Sequence, residues 1–436
     1  MKHMMALLVV MMVCSAALFA GGQGEQTQAD TLRVMWWGSQ NRHERTIETL
    51  NLYESQAPEL DVVHEFAGWG DYWTKVTTMA AGRNLPDVMQ HDYQFLAEWQ
   101  SRGLVQSLEP YVAAGLLDLS DVADANLDGG RIDAELYGVS LGTNSQVFVL
   151  DVDMFEEAGV PIPSDDWTWA DFEAITLQLH EELGVYGYGA GLLNNHLWKS
   201  RYLSEGMWVF TDEGDDIGYT DDRPLVEHLE MVLRLQEAGA VPHISREISD
   251  FNYGIGLEIQ PIVTGEAAMH YMWSNQLTGL WTAAGGPEAR NFVLVMVPRV
   301  EGGLPAQYVK PSMFFAIPRD ATNPEEAAQF IDFVTNDSAA NEILVAERGV
   351  PIADAIRSEL FVEVGEIQQT VFEYMVRVTE SGQPIPPPDP PGWTDLLNNV
   401  YNIAVREEVR FGFRTPEDAA ANLRREATQI LGANAN

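Results

Sequence analysis

The chain has 436 residues and carries 65 acidic against 25 basic side chains, a formal net charge of −40. A field of that sign repels nucleic acid and anionic membrane surfaces and keeps a secreted protein soluble, and a hydrophobic share of 46% excludes wholesale disorder. The single cysteine, Cys14, excludes a disulfide scaffold, and the about 410 residues beyond the N-terminal leader exceed what one core usually serves, so two lobes are expected.

Lys2, an apolar run from Met4 to Val13 and a small-residue patch ending at Ala20-Gly21-Gly22 have the order of an export signal, so residues 1–22 are expected to be a cleavable signal peptide. A membrane anchor would need about 18 uninterrupted apolar residues. Lipid attachment at Cys14 is the alternative, disfavoured by the bulky Met11, Met12 and Val13 where such signals prefer small residues.

Thr31 to Trp37 reads as a buried first strand. The spacing of Ile47, Leu50 and Tyr53 predicts a helix over 44–55, followed by a strand over 61–66 and a helix over 72–81 closed by Gly82. A short strand over 85–90 and a helix over 94–102, ended by Gly103, come next. Strand and helix alternating over short links predict an α/β chain with a parallel sheet. The β-rich run from Tyr137 to Leu150 is broken at Gly142, where a strand can leave one sheet and enter another, so the first hinge crossing is expected there. Downstream, a helix is expected over 224–236, a helix end leading into a strand over 262–273, and a strand over 291–297. Asn323 is expected to cap a helix with Pro324 at its first position. The segment PIPPPDPPG, 384–392, is a stiff extended connector feeding a helix near Trp393, and a last helix runs over 416–431.

The metalloprotease H-E-x-x-H, the P-loop and the dinucleotide G-x-G-x-x-G are absent, and the nine histidines show no metal-ligand spacing. Asp124, Asn126, Asp128, Gly129 and Glu135 fit the calcium-loop expression formally, but Arg131 stands at an ordinarily apolar position and a strand follows instead of a helix; a turn is the expectation. The aromatic inventory is the stronger clue. Among twelve tryptophans, Trp37, Trp69, Trp198, Trp208, Trp273 and Trp393 fall at strand ends or loop starts. Sugars offer flat C–H faces to aromatic rings and rims of hydroxyls to amides and carboxylates, so a carbohydrate cleft needs such platforms beside polar side chains.

The stretch DVDMFEEAGVPIPSDDWTWADFEAI, 151–175, sets a short helix against an x-Pro turn and restarts a helix at Thr-Trp-x-x-Asp-Phe. Together with LPDVMQHDYQFLAEWQSRGLVQSLEPYV, YGVSLGTNSQVFVL, GEAAMHYMWSNQL and ERGVPIADAI it resembles the family-1 extracellular solute-binding proteins, the maltose-binding-protein-like group that serves sugar ABC importers. Leu150-Asp-Val-Asp153 departs from the family's Tyr-Asn-x-Asp in a structural segment. The resemblance implies a type II-like two-lobe periplasmic binding protein fold, each lobe a mostly parallel sheet flanked by helices, with several hinge crossovers. Lobe 1 is expected to span 30–142 and 302–350, and lobe 2 to span 143–301 and 351–436. It further implies a ligand-binding set of Trp37, Gln40, Trp69, Asp92, Tyr93, Asn144, Trp198, Trp273 and Trp393 between the lobes. No catalytic residue, cofactor or metal is implied. The partners would be an oligosaccharide and the transmembrane permease subunits of an ABC importer, with no nucleic acid; the protein would be a periplasmic monomer. A secreted glycosidase and a sugar-sensing receptor partner of the same fold are the alternatives.

Overall fold

The computed structural model describes residues 30–251, 256–361 and 365–434; the expected leader and Cys14 lie outside them. Twelve strands are present among these residues: β1 (Asp30–Trp37), β2 (Leu60–Ala67), β3 (Val88–His91), β4 (Arg131–Ile132), β5 (Glu135–Leu136), β6 (Val139–Ser140), β7 (Thr143–Asn144), β8 (Gln146–Asp151), β9 (Met269–Trp273), β10 (Phe292–Val295), β11 (Lys310–Pro311) and β12 (Phe314–Ala316).

The first sheet has the order β2-β1-β3-β12-β6. Successive side chains of β1 point to opposite faces. Leu32, Val34 and Trp36 enter one apolar cluster while Met35 and Trp37 enter the other, which is why this strand reads as an unbroken apolar run. It pairs in parallel with β2 and β3, and β12 returns antiparallel to β3 and β6. The helix after β1 starts at Gln40, ahead of the expected Glu44, because the Ser39 hydroxyl caps it by accepting from the Arg42 N–H. The helices Pro324–Asn336 and Ser338–Leu344 return to pack on it. Asn323 precedes Pro324 as expected, yet its side chain does not cap. Its amide donates to Thr31 O at 2.8 Å, and its backbone N–H goes to the buried Asp87 carboxylate, which also takes Arg33 N and Thr322 N.

The second sheet has the order β10-β8-β9, and here the expectation of a mostly parallel sheet is corrected: β8 runs antiparallel to both neighbours. The cause is topological. The chain enters through β8 directly from the crossing strand β7, and the two strands it meets both run the other way. After β8, Asp151 caps the helix Val152–Glu157 and holds Arg290 through its other carboxylate oxygen. Thr168 and Asp171 form a capping box at the start of the helix Trp169–Leu183, while Trp167 and Trp169 are buried. The 151–175 signature is therefore a packing device.

Two crossing segments lie side by side: β7 pairs antiparallel with β11, Asn144 opposite Lys310. Behind them Gly142 (φ +154°) and Gly349 (φ +118°) approach so closely that a Cβ on either would sit 2.6–2.7 Å from the other's backbone neighbourhood. Only glycine fits at these two positions. After the segment 384–392, which carries no regular structure, Trp393–Asp395 leads into π-helical turns over Leu396–Glu407. The final helix is Pro416–Asn434.

His91 in β3 and His270 in β9 are fully buried, and burial lowers each imidazole to a pKa of about 4. An unfolded histidine titrates near 6.5, so between pH 6.5 and 4 the unfolded chain binds more protons than the folded one. Stability is complete above pH 6.5 and falls as the pH drops toward 4. Thermal melts at half-unit steps are expected to show that decline; a flat midpoint over this window would refute it.

Candidate ligand-binding cleft

Where β1, β3 and β9 end beside the crossing strands β7 and β11, the fold leaves a cavity of about 260 Å³. A dry cavity of roughly 150 Å³ already admits a benzene, so one sugar-sized ring fits with room to spare. Its position, at strand ends and between two sheets, is where α/β proteins usually receive ligands.

One wall is aromatic. Trp37 ends β1, and Trp69 opens the helix Trp69–Ala81; their rings meet edge-on with centroids 5.0 Å apart. Tyr72 and Trp73 back Trp37 at 5.0 and 5.6 Å. Aromatic pairs favour such edge contacts, and the cluster fixes the ring orientations before any ligand arrives. Across the cavity Trp273, at the end of β9, stands edge-on to His196 with centroids 5.1 Å apart, and the Lys310 ammonium lies 4.5 Å from its ring centre.

The rest of the wall is polar. The Asn144 amide donates to Asn275 Oδ1 at 2.6 Å, and Gln260 donates to Gly256 O at 3.2 Å. Each thereby leaves its side-chain oxygen buried without a partner among the described residues, as do Gln94 and Asn195, and the Ser312 hydroxyl likewise has none. Such groups are costly unless something supplies hydrogen bonds. Arg42 is paired with Glu347 at 2.7 Å, both buried. Asp92 spends one oxygen on the helix Tyr93–Ser101, accepting from Gln94 N. Burial, then the charges of Lys199 and Lys310, push the His196 imidazole well below its usual range, so it is neutral here. Burial also lowers the Lys310 ammonium, against the carboxylates of Asp92 and Asp389, which hold it up.

Of the nine expected ligand contacts, Trp37, Trp69, Asp92, Asn144 and Trp273 come together on this cavity. Tyr93 lines a small recess that opens behind Lys310, where its hydroxyl donates to Pro386 O at 3.1 Å. Gln40 points away: it lies in the first helical turn, exposed, and donates to Glu44 at 2.9 Å. Trp198 and Trp393 are fully buried and off the cavity wall, with rings 6.3 Å apart. They pack with Tyr401 and Phe210. These three residues are corrected to an exposed helix position and to core. Lys310, His196, Asn275 and Glu347 also line the cavity, and none carries a local signal in the sequence. Gly138-Val-Ser140-Leu-Gly142 also spells the nucleophile-elbow pattern G-x-S-x-G, but Ser140 is buried in β6 and its hydroxyl donates to Gly142 O at 2.6 Å. At the formal calcium loop, Arg131 pairs with Asp128 at 3.1 Å and Asp124 at 3.5 Å, so a guanidinium sits where a cation would compete.

The chain matches the model of a family described as bacterial extracellular solute-binding protein over residues 43–341. A relative from Brucella abortus (strain 2308), named as a binding protein without a ligand, is 23% identical over 167 residues, 38% of this chain and 39% of that one. The chain thus spans about two fifths of the curated relatives it matches first. Solved structures align along nearly the whole length. The periplasmic oligogalacturonide binding protein of Yersinia enterocolitica, in complex with saturated digalacturonic acid, has a TM-score of 0.82 at 22% identity, covering 93% of this chain and 100% of that one. A second structure of a periplasmic oligogalacturonide binding protein of Yersinia enterocolitica has a TM-score of 0.65 at 22% identity and equal coverage. An ABC substrate-binding protein of Listeria monocytogenes in complex with cycloalternan has a TM-score of 0.78 at 19% identity, covering 92% and 99%.

Proposed function

The chain belongs to the bacterial extracellular solute-binding proteins, and on that premise we propose that it captures a carbohydrate, an oligosaccharide fragment, for an ABC importer. The observation that carries this reading is the cavity itself: tryptophans on opposing walls, Trp37 and Trp69 against Trp273, with buried amide oxygens between them. Stacking rings take the apolar faces of a sugar, and unpaired oxygens take its hydroxyl protons.

Binding works by population shift. A ligand that touches both walls favours the closed arrangement by its differential affinity for that state. Ties between the two lobes are already made here: Thr394 donates to Glu98 at 2.7 Å and Tyr93 to Pro386 O. In our reading the lobes divide at 142/143, 301/302 and near 350. The packing of the helix Asp354–Phe361 on Ser338–Leu344 favours placing the last limit after residue 361. The protein would act as a monomer outside the cytoplasmic membrane, exported by its leader, and the closed shape would be read by the permease subunits.

Turnover finds little support. Of the lining carboxylates, Asp92 caps a helix and Glu347 is held by Arg42, so neither is placed as a proton-carrying acid opposite a partner. A thermal-shift and tryptophan-fluorescence screen over a glycan library tests the proposal. At least one saccharide is expected to raise the melting point and shift emission; a full panel without effect would sink it.

A further inference from the structure

Lys310 is 5% exposed, and no carboxylate lies within 4.0 Å of its ammonium among the described residues. Its contacts are one long hydrogen bond to Ser312 O at 3.3 Å and the face of Trp273. An ammonium carries three donors, so at least one finds no acceptor. The neighbouring cations differ. Arg42 is joined to Glu347, and Lys199, in the recess behind, is joined to Asp389 at 2.5 Å. Asp92 and Asp389 offset Lys310 only from a distance. A buried charge of this kind is costly unless paired.

The wall around this cation presents several unpaired oxygens, beside the free hydroxyl of Ser312. The amide nitrogens of Asn144 and Gln260 are engaged, which fixes their free oxygens as acceptors, and Gln94 and Asn195 also carry unpartnered oxygens. The complementary ligand therefore has several hydroxyl protons to give and one negative charge to place. A neutral sugar satisfies the oxygens and leaves the ammonium uncompensated. A phosphate would bring up to two charges to a single unpaired lysine.

Resting on the carbohydrate reading, we propose that the ligand contains a uronic-acid residue whose ring lies against Trp273 and whose carboxylate pairs with Lys310. The overall charge of −40 opposes anion capture from bulk, so this one local cation decides the preference.

The test titrates the full chain by calorimetry with digalacturonate and diglucuronate, their methyl esters, the matching neutral disaccharides, and glucose 6-phosphate. The acid is expected to bind at least tenfold tighter than its own ester. In Lys310→Met that ratio should fall below threefold, and Lys310→Arg should retain most of it. Equal binding of acid and ester, tighter binding of a neutral sugar or of the phosphate, or an unchanged ratio in Lys310→Met overturns the uronate assignment and leaves the carbohydrate reading standing. Binding of no saccharide at all defeats both. If Lys310→Met fails to fold, the wild-type ratio still decides.

Discussion

Asp389→Asn is expected to lower the free energy of unfolding by about 3–5 kcal/mol, the usual cost of stranding one member of a buried ion pair. Lys199 and Asp389 are 3% and 5% exposed, and the ammonium reaches both carboxylate oxygens, at 2.5 and 2.6 Å. Aromatic rings flank the pair: the Lys199 nitrogen lies 4.0 Å from the centre of Trp393 and 5.4 Å from that of Phe210. Burial pushes the Asp389 carboxyl up and the Lys199 ammonium down, so desolvation outweighs the attraction between them. The pair is then a poor source of net stability but a costly thing to break. Guanidinium unfolding at pH 7 separates these two statements. The single variant should lose most of its midpoint, while Lys199→Met with Asp389→Leu should recover much of it, since two apolar groups leave no charge behind. A single variant within about 0.5 kcal/mol of the wild type would show that water reaches the site. The segment 384–392 is fixed at Asp389, so the same variant should also loosen the recess beside Lys310.

Much of this architecture can be read along the chain because it is local. β1 is apolar on both faces, so its burial follows from the run itself. Thr168 and Asp171 spell a capping box, and Gly142 marks the crossing where a Cβ has no room. Trp37 and Trp273 were legible as cleft residues because strand ends in α/β folds open onto the ligand site. Trp198 and Trp393 carry the same residue type and met a different fate. Whether an indole faces a cavity or a core depends on what packs over it, and for Trp198 that is Trp393 and Tyr401, about 200 residues further along the chain. Gln40 was misplaced for a smaller reason: the helix begins four residues sooner than its apolar spacing suggests, which turns that side chain to solvent. Lys310, Lys199 and Asp389 have no local signature at all. Single charged residues out of the chain's 90 acquire meaning only when the fold buries them together.

Trp273→Ala is expected to weaken saccharide binding tenfold or more, about 1.4 kcal/mol. Of the three tryptophans lining the cavity Trp273 is the one contributed by β9, so its loss removes the indole on that side of the stack that joins the two halves around the ligand. It also withdraws the ring beneath the Lys310 ammonium, leaving that charge with the Ser312 carbonyl alone. The residue is only partly buried and ends its strand, so the fold should tolerate truncation better than removal of a core tryptophan. Trp273→Phe keeps a ring and should recover part of the affinity. Titration of tryptophan emission with the tightest saccharide found, beside thermal melts of each variant, distinguishes lost contact from lost structure. An unchanged affinity in a well-folded Trp273→Ala would remove Trp273 from the site. The clamp would then have to rest on Trp37 and Trp69 alone, and a ligand held by one wall has no means of favouring closure.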